Sequence, residues 1–150
     1  MNLESLYQEL ILDHYKNPLN KGLAANPEVS VHHINPSCGD EIDLNLRTSN
    51  GRVESVTWEG VGCSISQAST SVMSDLVKGK EFTAASGLID AFVEVMQSKG
   101  SSSGDESVLG DAVAFAGVSK YPARIKCALL GWMAFKDALA QLGHYQGKNL

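Results

Sequence analysis

The stretch from residue 42 to residue 60, "IDLNLRTSNGRVESVTWEG", decides the fold class. Its first part alternates apolar and polar residues from Ile42 to Leu46, which predicts a strand with one buried face. Asn50 and Gly51 then form a pair that is typical of a tight hairpin turn. The chain after this turn should return as a paired strand, so the stretch predicts an antiparallel β-hairpin.

A shorter alternating segment precedes the hairpin. Val29, Val31 and His33 alternate with polar or exposed positions, which predicts another strand over residues 29–34. Together with the hairpin, this segment predicts a three-stranded antiparallel sheet with one buried face.

Helical periodicity flanks the predicted sheet on both sides. Apolar residues recur at helical spacing from Leu3 onward, and Asn17-Pro18 ends that pattern. After the sheet, "SISQASTSVMSDLVKG" (64–79) predicts a helix that is capped by serine and ends at Lys78-Gly79. "FTAASGLIDAFVEVMQSKG" (82–100) predicts the next helix, with Gly100 as its stop.

The last third of the chain reads as a polar loop followed by a long helix. "SSSGDES" (101–107) predicts a flexible loop, and "YPARIKCALLGWMAFKDALAQLG" (121–143) predicts the helix. The main apolar stripe of this helix is predicted to comprise Ile125, Leu129, Trp132, Leu139 and Leu142. The order of elements predicts an α+β fold in one domain spanning residues 1–150, with an N-terminal helix, the three-stranded antiparallel sheet, and C-terminal helices packed on one face.

The composition excludes several classes of function. The 150 residues are 43% hydrophobic and 19% charged, which is ordinary for a globular protein, and the net charge of −5 argues against a nucleic-acid partner. The sequence has no apolar run long enough to span a membrane and no cationic start typical of a signal peptide. Three cysteines are an odd number, so we expect free thiols in a reducing cytoplasm, where thiols bind metals or react.

Two of the cysteines lie in segments that suit a metal or a reactive thiolate. Cys38 and Asp40 are separated by Gly39, whose backbone freedom allows both side chains to face one centre. Cys63 begins a predicted helix, and the partial positive charge of a helix N-terminus favours a thiolate.

The third cysteine, Cys127, lies early in the last helix. Arg124 and Lys126 precede it closely, and neighbouring cations lower the pKa of a thiol. Three thiolates and one carboxylate match the ligand count of a tetrahedral zinc site or of the protein side of an iron–sulfur cluster.

The spacing of these residues leaves alternatives open. The gaps between the cysteines are too long to be diagnostic, and a single cysteine is often only a buried core residue. Asp40 could simply cap a turn. His32 and His33 point to opposite faces of a strand, so we interpret them as surface or core-edge residues.

Four motifs go beyond spacing: "LYQELILDHYKNPLNKG", "NPSCGDEI", "WEGVGCSISQAS" and "GVSKYPARIKCALLGW". They resemble the U-type iron–sulfur assembly proteins, the IscU/NifU N-terminal domain family, over nearly the whole chain. The resemblance implies that zinc or a nascent iron–sulfur cluster is held by Cys38, Asp40, Cys63 and Cys127.

Two features are more similar to the SufU branch of this family than to IscU. Lys126 stands where IscU proteins usually have a histidine, and a long segment separates the second and third cysteine blocks. The chain also shows no LPPVK-like chaperone motif. The SufU branch implies a zinc-dependent sulfurtransferase, which accepts persulfide sulfur from a cysteine desulfurase of the SufS type and passes it to downstream Suf assembly proteins.

Within that implied function we predict that Cys127 accepts the sulfur, on the expectation that it lies on a helix surface beside Arg124 and Lys126. Arg124 would help to hold this cysteine when it is off the metal. The alternatives are a scaffold that assembles a [2Fe–2S] cluster on the same ligands, and a purely structural zinc domain.

Overall fold

This computed structural model describes residues 3–147, which contain three strands and five α-helices. A 3₁₀ segment spans Gly110–Lys120. The elements follow in chain order as α1 (Leu3–Lys16), β1 (Val29–Asn35), β2 (Asp40–Ser49), β3 (Arg52–Val61), α2 (Ser64–Val77), α3 (Phe82–Met96), α4 (Glu106–Leu109) and α5 (Pro122–Gln141).

The sheet follows the predicted pattern. Its strand order is β1-β2-β3, and both pairings are antiparallel. Asn50 and Gly51 both have positive φ, 53° and 76°, as a two-residue hairpin turn of this type requires. Ile42, Leu44 and Leu46 are fully buried, so the predicted hairpin and its buried face are confirmed.

The helices cover one face of the sheet, and the predicted α+β fold is confirmed. α5 packs across β1 and β2, while α2 lies beside β3 and against α5. Trp132 of α5 stacks on Phe92 of α3 with ring centroids 4.3 Å apart. The core therefore lies between the sheet and the helices. Among the described residues, none of the helices combines the length and the apolar character that a membrane span requires.

The two histidines of β1 face opposite sides of the sheet, as predicted. His32 is exposed, and its Nδ1 lies 2.7 Å from Asp43 on the solvent face. His33 faces α5, where its Nε2 lies 2.8 Å from Asp137. Carboxylates outside the cysteine region therefore pair with both rings.

Helix ends differ from the prediction in two places. Cys63, not a serine, is the N-cap of α2, and its own side chain makes no capping hydrogen bond; the Ser66 hydroxyl donates to the Cys63 carbonyl. α3 ends at Met96, before the predicted stop at Gly100, because Gln97 already closes its last turn. The predicted end of α2 at Lys78-Gly79 is confirmed, and Gly79 has a φ of +79°.

The segment predicted as a loop over residues 101–107 is partly helical. Asp105 caps α4 by accepting a hydrogen bond from the Ser107 backbone, so the helix begins at Glu106. The 3₁₀ segment that follows was not predicted, because its buried residues do not recur with the α-helical period.

The buried face of α5 differs from the predicted stripe. Trp132 and Leu139 are fully buried, but Ile125, Leu129 and Leu142 are only partly buried. The helix is covered by the sheet on one side and by α2 on another, so small residues share its buried face. At Gly131 a Cβ atom would overlap the Thr70 side chain of α2, so the absence of a side chain at Gly131 permits this close packing.

Candidate metal centre

Three distant segments converge at one end of the sheet and bring the cysteines together. The Sγ atoms of Cys38 and Cys127, 89 positions apart, lie 3.3 Å from each other. The ligand atoms of Cys38, Asp40 and Cys127 all lie within 4.8 Å of one another. Cys63 is adjacent, with its Sγ 3.7 Å from Asp40 Oδ2. The structure thus assembles four side chains that the sequence analysis singled out.

The turn between β1 and β2 presents Cys38. The carbonyl of Asn35 accepts hydrogen bonds from the backbone N–H groups of Cys38 and Gly39, at 3.2 Å and 2.9 Å. Gly39 has a φ of +71°, a conformation that favours glycine, and this reverses the chain within four residues. Cys38 and Asp40 can therefore face the same centre.

Asp40 joins this turn to the start of α2. Its side chain is fully buried, and Oδ1 accepts a hydrogen bond of 2.8 Å from the backbone of Cys63. Gly62 has a φ of +142°, and a Cβ atom there would overlap Asp40 Oδ1. The Asp40 carboxylate therefore caps the backbone of Cys63, 23 positions away, and not the backbone of the turn in which Asp40 lies.

The three thiols differ in exposure. Cys38 is exposed, Cys63 is partly buried and Cys127 is fully buried. The expectation that Cys127 lies on a helix surface is therefore wrong, because the Cys38 turn and the sheet cover that side of α5. Arg124 and Lys126 are exposed on the same helix.

Burial raises the pKa of the Cys127 thiol well above its usual range. Contacts with Cys38, Asp40 and Cys63 raise this pKa further, since all three are themselves acids. A cation at the centre is what would allow these neighbouring acids to ionise together.

The residues present fit a zinc ion. Tetrahedral zinc with ligand distances of about 2.0–2.3 Å places neighbouring ligand atoms about 3.3–3.8 Å apart. Two of the separations here, Cys38–Cys127 at 3.3 Å and Cys63–Asp40 at 3.7 Å, fall in that range. Thiolate-rich sets also suit iron–sulfur clusters, so the donor set alone admits both.

The sequence analysis missed two residues that shape this centre, Asn35 and Gly62. Asn35 is buried at the end of β1, and its side-chain Nδ2 lies 3.8 Å from Cys127 Sγ. Asparagine directly before a proline-containing turn is a weak signal for such a role. Gly62 lies in the motif "WEGVGCSISQAS", but sequence could not reveal that it makes room for Asp40.

The chain belongs to the family described as the NifU-like N terminal domain, whose sequence model matches residues 6–148. The match begins within α1 and includes the sheet, the later helices and all four residues of the candidate centre. The predicted family is therefore confirmed.

Particular relatives divide between two descriptions. The chain is 46% identical over 141 residues to the zinc-dependent sulfurtransferase SufU of Bacillus subtilis, covering 93% of each chain. It is 39% identical to the iron–sulfur cluster assembly scaffold protein IscU of Streptococcus pyogenes, covering 96% of this chain and 89% of that protein.

A solved structure shares the fold. A proposed iron–sulfur cluster assembly scaffold protein for the SUF system from Fervidobacterium islandicum is 35% identical, with a TM-score of 0.78, covering 92% of this chain and 99% of that one. The SufU resemblance predicted from the cysteine motifs is therefore confirmed.

Proposed function

We propose that this protein is a zinc-dependent sulfur carrier in iron–sulfur cluster assembly. The observation that carries the proposal is the pairing of an exposed thiol, Cys38, with a buried thiol and a buried carboxylate in one group of ligand atoms. Because Cys38 is exposed, a partner protein can reach one thiol of this group directly. The similarity to a zinc-dependent sulfurtransferase supports the same function.

The ligand set that we propose for zinc is Cys38, Asp40, Cys63 and Cys127. Zinc, when bound, keeps these thiols ionised at neutral pH. Asp40 orients Cys63 through its backbone hydrogen bond, and the sheet register keeps Asp40 opposite Asn35 beside the Cys38 turn. Reduced thiols are needed throughout, which is the condition that the cytoplasm maintains.

The sulfur enters by thiol exchange with a persulfide on a cysteine desulfurase of the SufS type. A thiolate of this protein attacks the outer sulfur of that persulfide, a new S–S bond forms, and the desulfurase thiolate leaves with the electron pair of the broken S–S bond. The sulfur is then passed to downstream Suf assembly proteins. The SufS-type desulfurase and the downstream Suf assembly proteins are therefore the partners that we propose.

The exposures favour Cys38 as the accepting thiol. A partner can approach Cys38 without rearrangement, whereas Cys127, the acceptor predicted from the sequence, is fully buried. Acceptance by Cys127 would require the start of α5 to move. Arg124 and Lys126 are exposed and lie within three residues of Cys127 along α5, so we propose that their positive charge attracts an anionic persulfide.

A second candidate function is a scaffold that assembles a [2Fe–2S] cluster on the same four residues. It is favoured by the similarity to a protein named as an IscU scaffold and by the thiolate-rich donor set. Metal analysis of protein purified without added metal separates the two. A colourless preparation with one zinc per chain supports the carrier, and a brown one with iron and sulfide supports the scaffold.

Peptide mapping by mass spectrometry tests the sulfur-carrying step. After incubation with a SufS-type desulfurase and cysteine, we expect a persulfide on Cys38. A persulfide on Cys127 alone would restore the assignment predicted from the sequence. No persulfide on any cysteine, with zinc bound and the desulfurase active, would overturn the carrier and leave the scaffold.

Arg124→Ala tests the role of the exposed positive charge at the start of α5 in the same assay. This variant should accept sulfur more slowly while its zinc content stays near normal, because arginine does not ligate zinc. Lys120→Ala is the matched control, since Lys120 is an exposed cation that precedes α5. Equal slowing by both variants would indicate a general charge effect and remove the specific role of Arg124.

A further inference from the structure

Asn35 is a buried polar residue at the candidate centre that the proposed ligand set does not use. It is the last residue of β1, and 4% of its surface is exposed. A buried amide is costly unless its polar atoms find partners. Its partners therefore show what this position does.

The side chain of Asn35 bridges two of the converging segments. Its Oδ1 accepts a hydrogen bond from the Ser37 backbone at 3.3 Å, within the turn that carries Cys38. Its Nδ2 faces the Cys127 sulfur of α5 at 3.8 Å. Because an N–H donor occupies Oδ1, the orientation of the amide is fixed and a donor is what faces the sulfur.

The backbone of Asn35 adds to this bridge. Its carbonyl accepts from the N–H groups of both Cys38 and Gly39. One residue therefore contacts the turn through its backbone and side chain, and contacts the opposite sulfur through its side chain. Groups that hydrogen-bond to metal ligands orient them and tune their charge.

We propose that Asn35 is a positioning residue for the metal centre: its amide N–H holds the Cys127 sulfur, while its two oxygens fix the turn that presents Cys38. It thereby couples the buried thiol to the exposed one. A donor facing a thiolate withdraws charge from the sulfur, so Asn35 also tunes the bond from Cys127 to the metal. This inference rests on the metal ligation proposed above.

A merely structural role for Asn35 would need only its oxygen. Asn35→Asp distinguishes a structural role in the turn from a positioning role toward Cys127. It keeps an acceptor for Ser37 but replaces the donor facing Cys127 by a negative oxygen. Asn35→Ser is a second variant, whose shorter hydroxyl can still accept from Ser37 but does not extend to the sulfur. It keeps the test valid if the aspartate variant fails to fold.

Asn45→Asp is the matched control. Asn45 of β2 also uses both ends of its amide, donating to the Ala24 carbonyl at 2.9 Å and accepting from the Ser30 hydroxyl. It contacts no sulfur among its described partners. Its variant therefore reports the loss of an amide donor at a site where only structure is affected.

The test uses the full chain loaded with Co²⁺ or with Zn²⁺. The sulfur-to-cobalt charge-transfer absorption reports the charge on the thiolates, and transfer of zinc to a chromogenic chelator reports its release. We expect both Asn35 variants to shift the absorption band and to release zinc about tenfold faster or more. Asn45→Asp should leave both readouts as in the unmodified protein.

Unchanged absorption and zinc release in folded Asn35→Asp or Asn35→Ser would overturn the inference and leave Asn35 as a turn residue. Equal changes in Asn45→Asp would do the same, because they would indicate a general loss of stability. If the unmodified protein itself shows no sulfur-to-cobalt band, the proposed metal centre fails, and the role of Asn35 fails with it.

Discussion

The two ends of the β2–β3 hairpin are built in different ways. At one end, Asn50 and Gly51 close the turn within two residues, and Arg52 pairs with Glu81 on the surface at 3.0 Å. At the other end, the strands lead into Asp40 and Gly62, where three distant segments meet. The turn at the first end is set by local backbone geometry, and its long-range contacts are surface and backbone ones to residues 79–82, whereas the second end depends on buried polar contacts that a metal would complete.

This difference predicts that substitutions will destabilise the protein unequally at the two ends of the hairpin. A substitution at the closed turn changes local backbone strain, and its cost is limited. A change at the candidate centre affects a buried carboxylate and three thiols at once. The following predictions compare the two ends, from the largest expected effect to the smallest.

Removal of zinc should have the largest effect. Structural zinc is worth on the order of 10 kcal/mol in small domains, but the core between sheet and helices remains, so the metal-free protein should loosen and not unfold wholly. We expect a fall in melting temperature of about 10 °C or more. Hydrogen exchange should show lost protection over residues 35–40 and 62–67, with residues 48–53 still protected.

Restoring zinc should restore the melting temperature, which is the control for damage by the chelator. An unchanged melting curve after confirmed loss of zinc would contradict a shared metal site. Uniform loss of protection at both hairpin ends would contradict the comparison between them.

Gly62→Ala should destabilise the protein more than Gly51→Ala. At Gly62 the added Cβ would overlap Asp40 Oδ1 in a backbone with positive φ, whereas nothing lies within 4 Å of a Cβ at Gly51, whose φ of +76° is also positive. We expect a loss of about 3 kcal/mol or more at Gly62 and about 1 kcal/mol at Gly51. Urea unfolding of both variants measures this difference, and equal losses would show that Asp40 can move away at little cost.

Asp40→Ala should weaken zinc binding without abolishing it. Three thiolates and a water can still hold the ion, but one oxygen ligand and the hydrogen bond to Cys63 are lost. We expect at least a tenfold loss of affinity, about 1.4 kcal/mol, in competition with a chelator.

Asp40→Asn is the matched variant for this test. It keeps an acceptor for the Cys63 backbone and removes only the charge, so its affinity should lie between those of Asp40→Ala and the unmodified protein. Unchanged affinity in Asp40→Ala would leave Asp40 as a backbone cap and overturn the four-ligand set.

The smallest effect concerns the link between β1 and α5. The hydrogen bond from His33 lowers the pKa of Asp137 below its usual value, and a second bond from Gln141 lowers it further. A lowered folded-state pKa contributes stability above the unfolded pKa of about 3.9, and this contribution is lost as the pH falls through the folded value.

Asp137→Asn should therefore flatten the acid limb of the stability curve below about pH 4. At neutral pH the difference should stay below about 1 kcal/mol, because the carboxylate is 39% exposed and solvent screens it. Urea unfolding between pH 3 and pH 7 measures it. If the free energy of unfolding falls equally with decreasing pH in Asp137→Asn and in the unmodified protein, the His33–Asp137 pair contributes nothing to stability.

Local sequence was sufficient where the deciding contacts are close along the chain. The alternation from Ile42 to Leu46 and the Asn50-Gly51 turn predicted the hairpin, because strand period and turn backbone depend on neighbouring residues. The family was predicted from the resemblance of four short motifs, each of which can be compared without knowing the fold. The cap at the start of α2 and the end of α3 differ from the prediction, because several residues can begin or terminate a helix.

Only the tertiary structure decided how exposed each thiol is. The sequence placed Cys127 beside two cations, but its burial depends on the Cys38 turn, 89 positions away, and on the packing of α5 against the sheet. The roles of Asn35 and Gly62 likewise arise from contacts across the fold. Sequence thus determined which residues form the candidate centre, while packing of distant segments determined which thiol a partner can reach, since burial is a property of the whole fold.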